Sequence, residues 1–504
     1  MTVNNSNVQT FLAKKIANRI NNQFGTDLQI SSAELNFSGN FDLNDFVIYD
    51  HKNDTLVYLE SFNLSPQSLK NVFNQKIDFQ SIKFNGLKLK LIRYKDEEKT
   101  NLEFFLSKIK SNDDTNSNNP TSSLQQIDDI TFSSSHFSYN DQNLPNENYE
   151  IYNLNFKLID IVNSNKDLSF MIDKLNFKNN LGFDVQDLKT EFVLSDDQIE
   201  LKNTKLIYFD SEINGDLSID ISKLSNNNFI SIRDLDSTNI KIEIYDSKIL
   251  PANLNSINKK NLISNFDIWN FELSLEGPVN DLIINKFNLS SGIELLSFNG
   301  NLSNIIGNNP NLSFELKQIE INSSSSSINS IFPNVFGSVI PSSVKNLGNF
   351  NFNGEISFNK SEIKSDFVLG VDKGIIKSSL NVLDFSNIDN SSYSGFVQGF
   401  NVDISRFLNF KSIRNTNFDF DINGKGFTTE YLNSVIKGSI TDLMLNETKL
   451  SNIEIFGQVK DQVFDGNLIV DDKNLNLEFN GLVDFTGDLI DFDFNSKIKN
   501  AFLK

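Results

Sequence analysis

Apolar and polar residues alternate along most of this chain, and this period of two is typical of β-strands with one apolar face. In the stretch DLSFMIDKLNFKNNLGFDVQDLKTEFVLSDDQIELKNTKLIYFDSEINGDLSID, residues 167–220, an apolar residue stands at nearly every second position. Loops of turn-forming residues divide the chain into about 25 to 30 such segments. The pattern predicts an all-β, mainly antiparallel protein with few helices.

Residues 1–25 follow a different period. Their apolar residues are spaced by three and four positions, which predicts an amphipathic helix that ends at Gly25. We expect the apolar stripe of this helix to cap one mouth of the sheet. The stripe consists of Val8, Phe11, Leu12, Ile16, Ile20 and Phe24.

The rest of the chain divides by composition. Residues 26–110 form a β module with two short helices, one over 64–75 that begins at Ser65 and Pro66, and one over 101–110. Residues 111–126 are a low-complexity loop. Residues 127–504 are predicted to form one continuous sheet with interruptions near 246–264, 323–348 and 403–413.

The pattern apolar-Asn-Gly-x-apolar recurs four times, around Gly215, Gly300, Gly354 and Gly481. The Asn-Gly dipeptide usually marks a two-residue hairpin. Here the apolar alternation continues in phase through each glycine, so the glycines are predicted to lie inside continuous strands and to face the apolar side. Glycine in a strand permits a sharp bend, which indicates a curved sheet.

A curved sheet of this length has few stable forms, since open sheets seldom exceed about ten strands without curling or splitting. A membrane barrel needs aromatic girdles, and serial sandwiches would hide the apolar face in protein. The pattern favours an open U-shaped trough with an apolar interior. The predicted lining residues are Phe170, Phe192, Ile213, Leu217, Phe298, Leu302, Leu312, Phe314, Leu316, Phe352, Ile356, Leu475, Leu477, Phe479, Val483 and Phe485.

Composition narrows what this interior can contact. The chain has 46 Phe against 10 Tyr and 1 Trp. Tyr and Trp carry a polar group that needs a partner when buried, whereas Phe carries none. The apolar face is therefore suited to a dry protein core or to hydrocarbon. The net charge of −20 argues against nucleic acid as a partner.

No residue pattern indicates catalysis. Asp491 and Asp493 alternate with phenylalanines, which is typical of a solvated strand face, and His51 and His136 are interpreted as surface residues. The chain has no cysteine and no phosphate loop, G-x-S-x-G or H-E-x-x-H motif. We therefore expect no enzymatic activity, no metal site and no cofactor.

The amino-terminal stretch closely resembles the start of TamB-like translocation and assembly module proteins, within the AsmA-like group. The resemblance covers about the first 110 residues and rests on a VQT-x-LAKK helix, a G-T-x-(I/L)-x-I strand and a D-x-x-x-D-T-L-x-Y segment. The matching residues are Val8, Gln9, Thr10, Leu12 to Lys15, Gly25, Thr26, Leu28, Ile30, Asp50, Asp54, Thr55, Leu56 and Tyr58.

This resemblance implies a β-groove that crosses the periplasm of a double-membrane bacterium and carries phospholipid, by its acyl chains, between the inner and outer membranes. It also implies an inner-membrane anchor and an outer-membrane barrel partner of the TamA type. Family members begin with a transmembrane segment and continue into a carboxy-terminal domain. We expect this sequence, which shows neither, to be an amino-terminal portion or a shortened relative.

Two other functions are compatible with the strand pattern. A scaffold or chaperone for outer-membrane barrel proteins would offer a sheet edge to incoming strands. A surface β-solenoid adhesin would require a fixed short period, which the variable strand and loop lengths of this chain do not follow.

Overall fold

The fold is all-β and mainly antiparallel, as the alternation predicts, with 26 strands among the described residues. The structure is a computed structural model. It describes residues 6–36, 39–67, 79–110, 125–144, 148–164, 167–222, 238–253, 267–305, 311–327, 347–371, 374–385, 389–406, 413–427, 431–484, 486 and 491–502.

Helices α1, Ser6–Phe24, and α2, Asn101–Lys110, accompany the strands in the described part of the chain. Helix α1 ends at Gly25, whose φ of 60° is the left-handed conformation that commonly terminates a helix. Helix α2 begins after a reciprocal cap, because Thr100 N donates to Glu103 Oε2 at 2.6 Å and Glu103 N donates to Thr100 Oγ1 at 3.3 Å. Short 3₁₀ turns follow at Pro251–Asn253 and Ile404–Arg406.

The chain divides into two compact units. Unit 1 comprises Met1–Ile230 and Lys241–Lys260, and unit 2 comprises Ser231–Ile240 and Asn261–Lys504. The strands up to the boundary are β1 Asp27–Leu35, β2 Phe41–Tyr49, β3 Thr55–Pro66, β4 Phe79–Asn85, β5 Lys88–Arg93, β6 Gln125–Asp141, β7 Asn148–Asn163, β8 Leu168–Asn179, β9 Asp184–Leu194, β10 Gln198–Tyr208, β11 Ser211–Asp220 and β12 Asn239–Ile249.

Unit 2 holds the remaining strands, most of them 9–13 residues long. They are β13 Trp269–Pro278, β14 Asp281–Ser291, β15 Glu294–Ser303, β16 Ser313–Ser324, β17 Asn349–Asn359, β18 Glu362–Val371, β19 Gly374–Leu383, β20 Ser392–Asp403, β21 Ile413–Lys425, β22 Asn433–Leu445, β23 Thr448–Lys460, β24 Val463–Asp471, β25 Leu475–Asp484 and β26 Asp491–Ala501.

Pairing follows the chain in order. In unit 2 each strand from β13 to β26 pairs antiparallel with the next. Unit 1 follows the same order except around β6, which pairs parallel with β4 and, further along, with β5. Parallel pairing requires a long crossover, and the segment from β5 to β6 contains α2.

Glycines and bulges bend the sheet at matching places. The four Asn-Gly glycines lie inside β11, β15, β17 and β25, as predicted. A Cβ on Gly300 would lie 2.1 Å from Glu315 O, so the neighbouring backbone rises on the side to which that Cβ would point. A register shift in β16 lies close by, where Gln318 has a φ of 50°. Both devices increase local curvature.

Several predicted boundaries change in the structure. Ser65 and Pro66 end β3 instead of beginning a helix, because Ser65 pairs with Ser81 of β4 and Pro66 with Phe79. Leu64 also belongs to β3, and residues 68–75 of the predicted helix lie outside the described residues. So do residues 111–124 of the predicted loop, while residues 125 and 126 begin β6. Of the predicted interruptions, residues 254–264, 328–346 and 407–412 likewise lie outside the described residues, whereas residues 246–249, 323–324, 403 and 413 belong to strands.

Candidate functional site

In unit 2, apolar side chains line up from strand to strand on one side of the sheet. Residues paired directly across two antiparallel strands project to the same side. Leu302 of β15 pairs with Phe314 of β16, and Phe314 pairs with Phe358 of β17, with 4.9 Å between the two ring centroids. One row further, Leu316 pairs with Ile356. We call this side of each unit its apolar face.

The same face continues to the last described strand. Leu468 of β24 pairs with Phe479 of β25, and Val470 pairs with Leu477. The rings of Phe479 and Phe494 of β26 lie 4.9 Å apart. The strand glycines that share this face, placed there by the same pairings, are Gly300, Gly354, Gly374, Gly395, Gly399, Gly424, Gly438, Gly457, Gly466 and Gly481.

Unit 1 has an apolar face of the same kind. Phe170 of β8 and Phe192 of β9 stack with their ring centroids 4.5 Å apart, and Phe192 continues through Leu201 to Leu217 of β11. A second ladder crosses the parallel pairing of β4 and β6. It consists of Phe62, Phe84, Phe132 and Phe156, with successive centroid distances of 5.1, 4.6 and 6.1 Å.

The apolar face is only half covered. None of the phenylalanines that the structure describes is buried; each is half-buried or exposed. The fully buried apolar side chains are almost all aliphatic, such as Leu56 and Val402. In a two-layer sandwich the inner side chains interdigitate with a facing sheet and become a core. The partial exposure of these rings shows that, among the described residues, no second sheet encloses them in a core.

In unit 2 the opposite face, which we call the polar face, combines charged and amide side chains with some exposed apolar residues, such as Phe456 and Ile469. It carries ion pairs between residues two apart on one strand, such as Lys317 Nζ with Glu315 at 3.0 Å and Lys364 Nζ with Glu362 at 3.0 Å. Amides form further contacts across strands, for example Asn299 Nδ2 donating to Gln318 Oε1 at 2.7 Å. The two faces therefore differ in chemistry along each strand.

The structure brings most of the predicted lining residues onto the apolar faces. Phe170, Phe192, Ile213 and Leu217 share that of unit 1. In unit 2 the shared face carries Phe298, Leu302, Phe314, Leu316, Phe352, Ile356, Leu475, Leu477, Phe479 and Val483. Leu312 precedes β16 and is 42% exposed. Phe485 lies outside the described residues.

Helix α1 packs beside β1, but three of the six residues of its predicted stripe stay exposed. Phe11, Leu12 and Ile16 are 66%, 46% and 61% exposed, whereas Ala17 is buried. Of the other stripe residues, Val8, Ile20 and Phe24 are half-buried. Docking through the Phe11–Ile16 side was therefore wrong. The physical reason is that β1 is an edge strand, whose unpaired backbone groups need polar partners.

Three polar side chains of α1 provide those partners. Asn21 Nδ2 donates to Leu28 O, and Leu28 N donates to Asn21 Oδ1, both at 2.8 Å. Thr10 exchanges hydrogen bonds with the backbone of Ala33 in the same way, and Gln9 does so with Leu35. The helix thus takes the place of a neighbouring strand. Gln9 and Thr10 belong to the VQT segment, whose part in docking the helix on β1 is not apparent from the sequence alone.

A polar cluster beside the β2–β3 turn was also missed. Asp50 is buried and accepts hydrogen bonds from Tyr94 Oη at 2.7 Å and Asn101 Nδ2 at 3.0 Å, and from the backbone amides of Lys52 and Asp54. Burial raises the pKa of the Asp50 carboxyl, but these hydrogen bonds outweigh it and the pKa lies below its ordinary value. The pKa of Tyr94 is raised by burial and by Asp50.

His51 belongs to this cluster and is not a plain surface residue. Its ring stacks on Phe104 of α2 at 4.3 Å, and Nε2 lies 2.9 Å from Glu97 Oε2. His136 is half-buried on β6, so its predicted surface position is corrected as well. The two carboxylates predicted to be solvated, Asp491 and Asp493, are exposed on β26. The contacts of Asp50 and His51 tie α2 to the β2–β3 turn and give the cluster a structural role.

No helix among the described residues is long and apolar enough to cross a membrane. Comparison of the chain with protein-family models, with curated protein sequences and with solved structures gave no match.

Proposed function

We propose that the apolar faces bind the acyl chains of phospholipids, and that the protein carries phospholipid between the inner and outer membranes of a double-membrane bacterium from a position in the periplasm. The observation that carries this proposal is an apolar face that continues over at least twelve neighbouring strands in unit 2 and whose phenylalanine rings remain partly exposed. Water is a poor solvent for such a surface, and an acyl chain can cover it.

The chemistry of the face supports a mobile hydrocarbon ligand. Most of its aromatic residues are phenylalanines, which offer no hydrogen bond to a fixed headgroup or partner, and Tyr393 is an exception. Each buried methylene contributes about 0.8 kcal/mol, so a chain of about 16 carbons gains on the order of 10 kcal/mol before ordering costs. Because this gain in free energy is spread over many equivalent contacts, the acyl chain can slide from one strand to the next.

The resemblance to TamB-like proteins supports the same proposal and adds its cellular setting, including an anchor in the inner membrane and an outer-membrane barrel partner of the TamA type. These additions rest on the resemblance alone. No enzymatic step is part of the proposal.

The two alternatives fare differently. A β-solenoid adhesin is disfavoured, because neighbouring strands in unit 2 are antiparallel. A chaperone that offers a sheet edge cannot use β1 without displacing α1, whose side chains occupy the backbone groups of Leu28, Ala33 and Leu35. Crosslinks from strand edges to barrel precursors would favour the chaperone function over lipid transfer.

The test is photo-crosslinking in cells at paired positions. A photoreactive residue at Phe314 or Phe479 should capture phospholipid, identified by the mass of the adduct. The controls are Glu315 and Glu478, one position away on the polar face, which should capture none. Equal capture on both faces, or capture of protein alone at Phe314 and Phe479, would contradict the proposal.

A further inference from the structure

The side of α1 that faces away from β1 is apolar and basic. The side that faces β1 forms hydrogen bonds with the backbone of that strand. Gln9, Thr10 and Asn21 hold the helix along the edge of β1. On the remaining surface, Phe11 and Ile16 are 66% and 61% exposed, the apolar pair with the greatest exposure in the helix. Large apolar side chains held in water on an ordered helix indicate a surface that is covered in use.

The charge of α1 indicates which kind of partner covers this surface. The helix contains Lys14, Lys15 and Arg19, all exposed, and no Asp or Glu. None of the three forms an ion pair with any residue that the structure describes. A local charge of +3 stands out in a chain whose net charge is −20. Glu34 of β1 accepts a hydrogen bond from Ser6 Oγ at 2.5 Å, at the amino-terminal end of α1.

We propose that α1 lies on an anionic phospholipid bilayer, with Phe11, Leu12 and Ile16 inserted between headgroups and Lys14, Lys15 and Arg19 beside the lipid phosphates. A helix with exposed apolar side chains flanked by Lys and Arg binds in the plane of such an interface. At 19 residues α1 is about 28 Å long, enough to rest on several lipids. A second copy of this acidic chain would be a poorer match for the basic side chains.

The position of α1 also determines how unit 1 is oriented relative to the bilayer. Because the helix runs along the outer edge of β1, the bilayer lies beyond the first strand, and successive strands of unit 1 lead away from it. The apolar face of unit 1 then starts at the membrane surface. This orientation rests on the proposed lipid-carrying function, whereas the binding of α1 to a bilayer does not.

The experiment measures flotation of the full chain with vesicles, either phosphatidylcholine alone or phosphatidylcholine with about a third phosphatidylglycerol. The wild type should float with the anionic vesicles and not with the neutral ones, and added salt should release it. A triple variant, Lys14→Gln, Lys15→Gln and Arg19→Gln, should lose on the order of a hundredfold in apparent affinity, since each basic residue near an anionic surface contributes about fivefold.

A double variant, Phe11→Ser with Ile16→Ser, should lose at least tenfold, and Phe11→Leu should retain binding. The matched control, Phe456→Ser with Ile469→Ser, removes a pair of similarly exposed apolar residues in unit 2, 54% and 43% exposed, and should bind like the wild type. Slow exchange of the Leu28 amide in each α1 variant shows that the helix still docks on β1.

Three results would overturn the proposal: no binding of the wild type to anionic vesicles, equal binding of the α1 variants, or wild-type dimers in sedimentation that dissociate in the Phe11→Ser, Ile16→Ser variant. The last result would identify a second copy as the occupant. Loss of bilayer binding with retained lipid crosslinking at Phe314 would reject this contact while leaving the lipid-carrying function intact.

Discussion

At the scale of single residues, phenylalanine and glycine have different roles on the apolar face. Phenylalanine supplies stacked rings, as at Phe287 and Phe298, whose centroids lie 4.4 Å apart. Such pairs contribute about 0.5–1.5 kcal/mol beyond burial of area. Glycine supplies room where a neighbouring strand rises toward the same side, as at Gly300 and Gly481. Phe makes the face apolar, and Gly lets the sheet bend toward it.

The role of glycine on the apolar face predicts that a substitution by alanine destabilises the protein more at Gly300 than at Gly370. In Gly300→Ala the new Cβ would lie 2.1 Å from Glu315 O and 2.9 Å from Leu316 Cα, so backbone must move. We expect a loss of about 2 kcal/mol in the free energy of unfolding, measured with urea. The control is Gly370→Ala on the polar face, where the close atoms belong to the movable Asn351 side chain. Its change should stay within about 1 kcal/mol; equal losses would contradict the close-approach explanation.

The Asp50 cluster predicts a pH-dependent contribution to stability. Because hydrogen bonds hold the pKa of Asp50 below its ordinary value, its stabilising effect is present at neutral pH and is lost as the pH falls through the folded-state pKa, below about 4. Asp50→Asn should cost about 2 kcal/mol at pH 7, since donors then face the donors of Tyr94 and Asn101.

This cost should shrink as the medium is acidified toward pH 3, and urea titrations of both proteins at several pH values measure it. Asp54→Asn is the control, because Asp54 pairs with Lys90 at the surface, where both side chains are nearly half exposed. A cost of Asp50→Asn that stays constant from pH 7 to pH 3 would contradict an ionised Asp50 in the folded protein.

At the scale of elements, α1 and β1 show how an edge strand is protected without another strand. The amides of Leu28, Ala33 and Leu35 donate to Asn21 Oδ1, Thr10 Oγ1 and Gln9 Oε1 at 2.8, 3.1 and 2.8 Å. Unpaired edges are sites of association between chains, and covering them by a helix is one natural solution.

This arrangement predicts residue-specific hydrogen exchange. Asn21→Ala should speed exchange of the Leu28 amide by at least tenfold while leaving Ala33 and Leu35 less affected, because each amide has its own acceptor on the helix. Asn22→Ala, an exposed neighbour one position away, should change none of the three. Uniform acceleration of all three amides in Asn21→Ala would instead mean that the whole helix detaches.

Strands and their faces could be predicted from the sequence because alternation is a local property: Phe314, Leu316 and Ile356 need only their own neighbours in the chain. The docking side of α1 could not. The apolar stripe predicted burial of Phe11 and Ile16, but the deciding interactions join Gln9 to Leu35, 26 residues away. The parallel pairing of β6 with β4 and β5 was likewise hidden, since nothing in a strand's own pattern states the direction of its partner.

At the scale of the whole molecule, each unit has an apolar face whose phenylalanine rings remain partly exposed. Stability then comes mainly from contacts between successive strands and from local buried clusters, such as Leu443, Leu450, Ile453 and Val470 at one end of β22–β24. An apolar residue on the open face is free to serve a ligand, because its replacement leaves no enclosed cavity.

Because residues on the open face lie outside the enclosed cores, we expect a charge introduced there to affect lipid transfer more than folding. Phe314→Asp and Phe479→Asp each place a carboxylate on the apolar face of unit 2, where an ionised group among acyl chains costs roughly 2.5–3.5 kcal/mol. Each variant should therefore slow transfer of a fluorescent phospholipid between donor and acceptor vesicles by about a hundredfold. The controls Ser313→Asp and Asn480→Asp add the same charge on the polar face, one position away, and should transfer like the wild type.

The double variant separates a path from a set of independent sites. If lipid passes β16 and β25 in series, one charge already limits the rate, and Phe314→Asp with Phe479→Asp should be little slower than either single variant. If the two positions belong to separate binding sites, each single variant removes only its own share of transfer. Circular dichroism and urea midpoints near those of the wild type are required of every variant, because both rings are half-buried and lie outside the enclosed cores. A hundredfold loss in the two single variants, intact folding and no further loss in the double variant together require that phospholipid moves along the apolar face of unit 2.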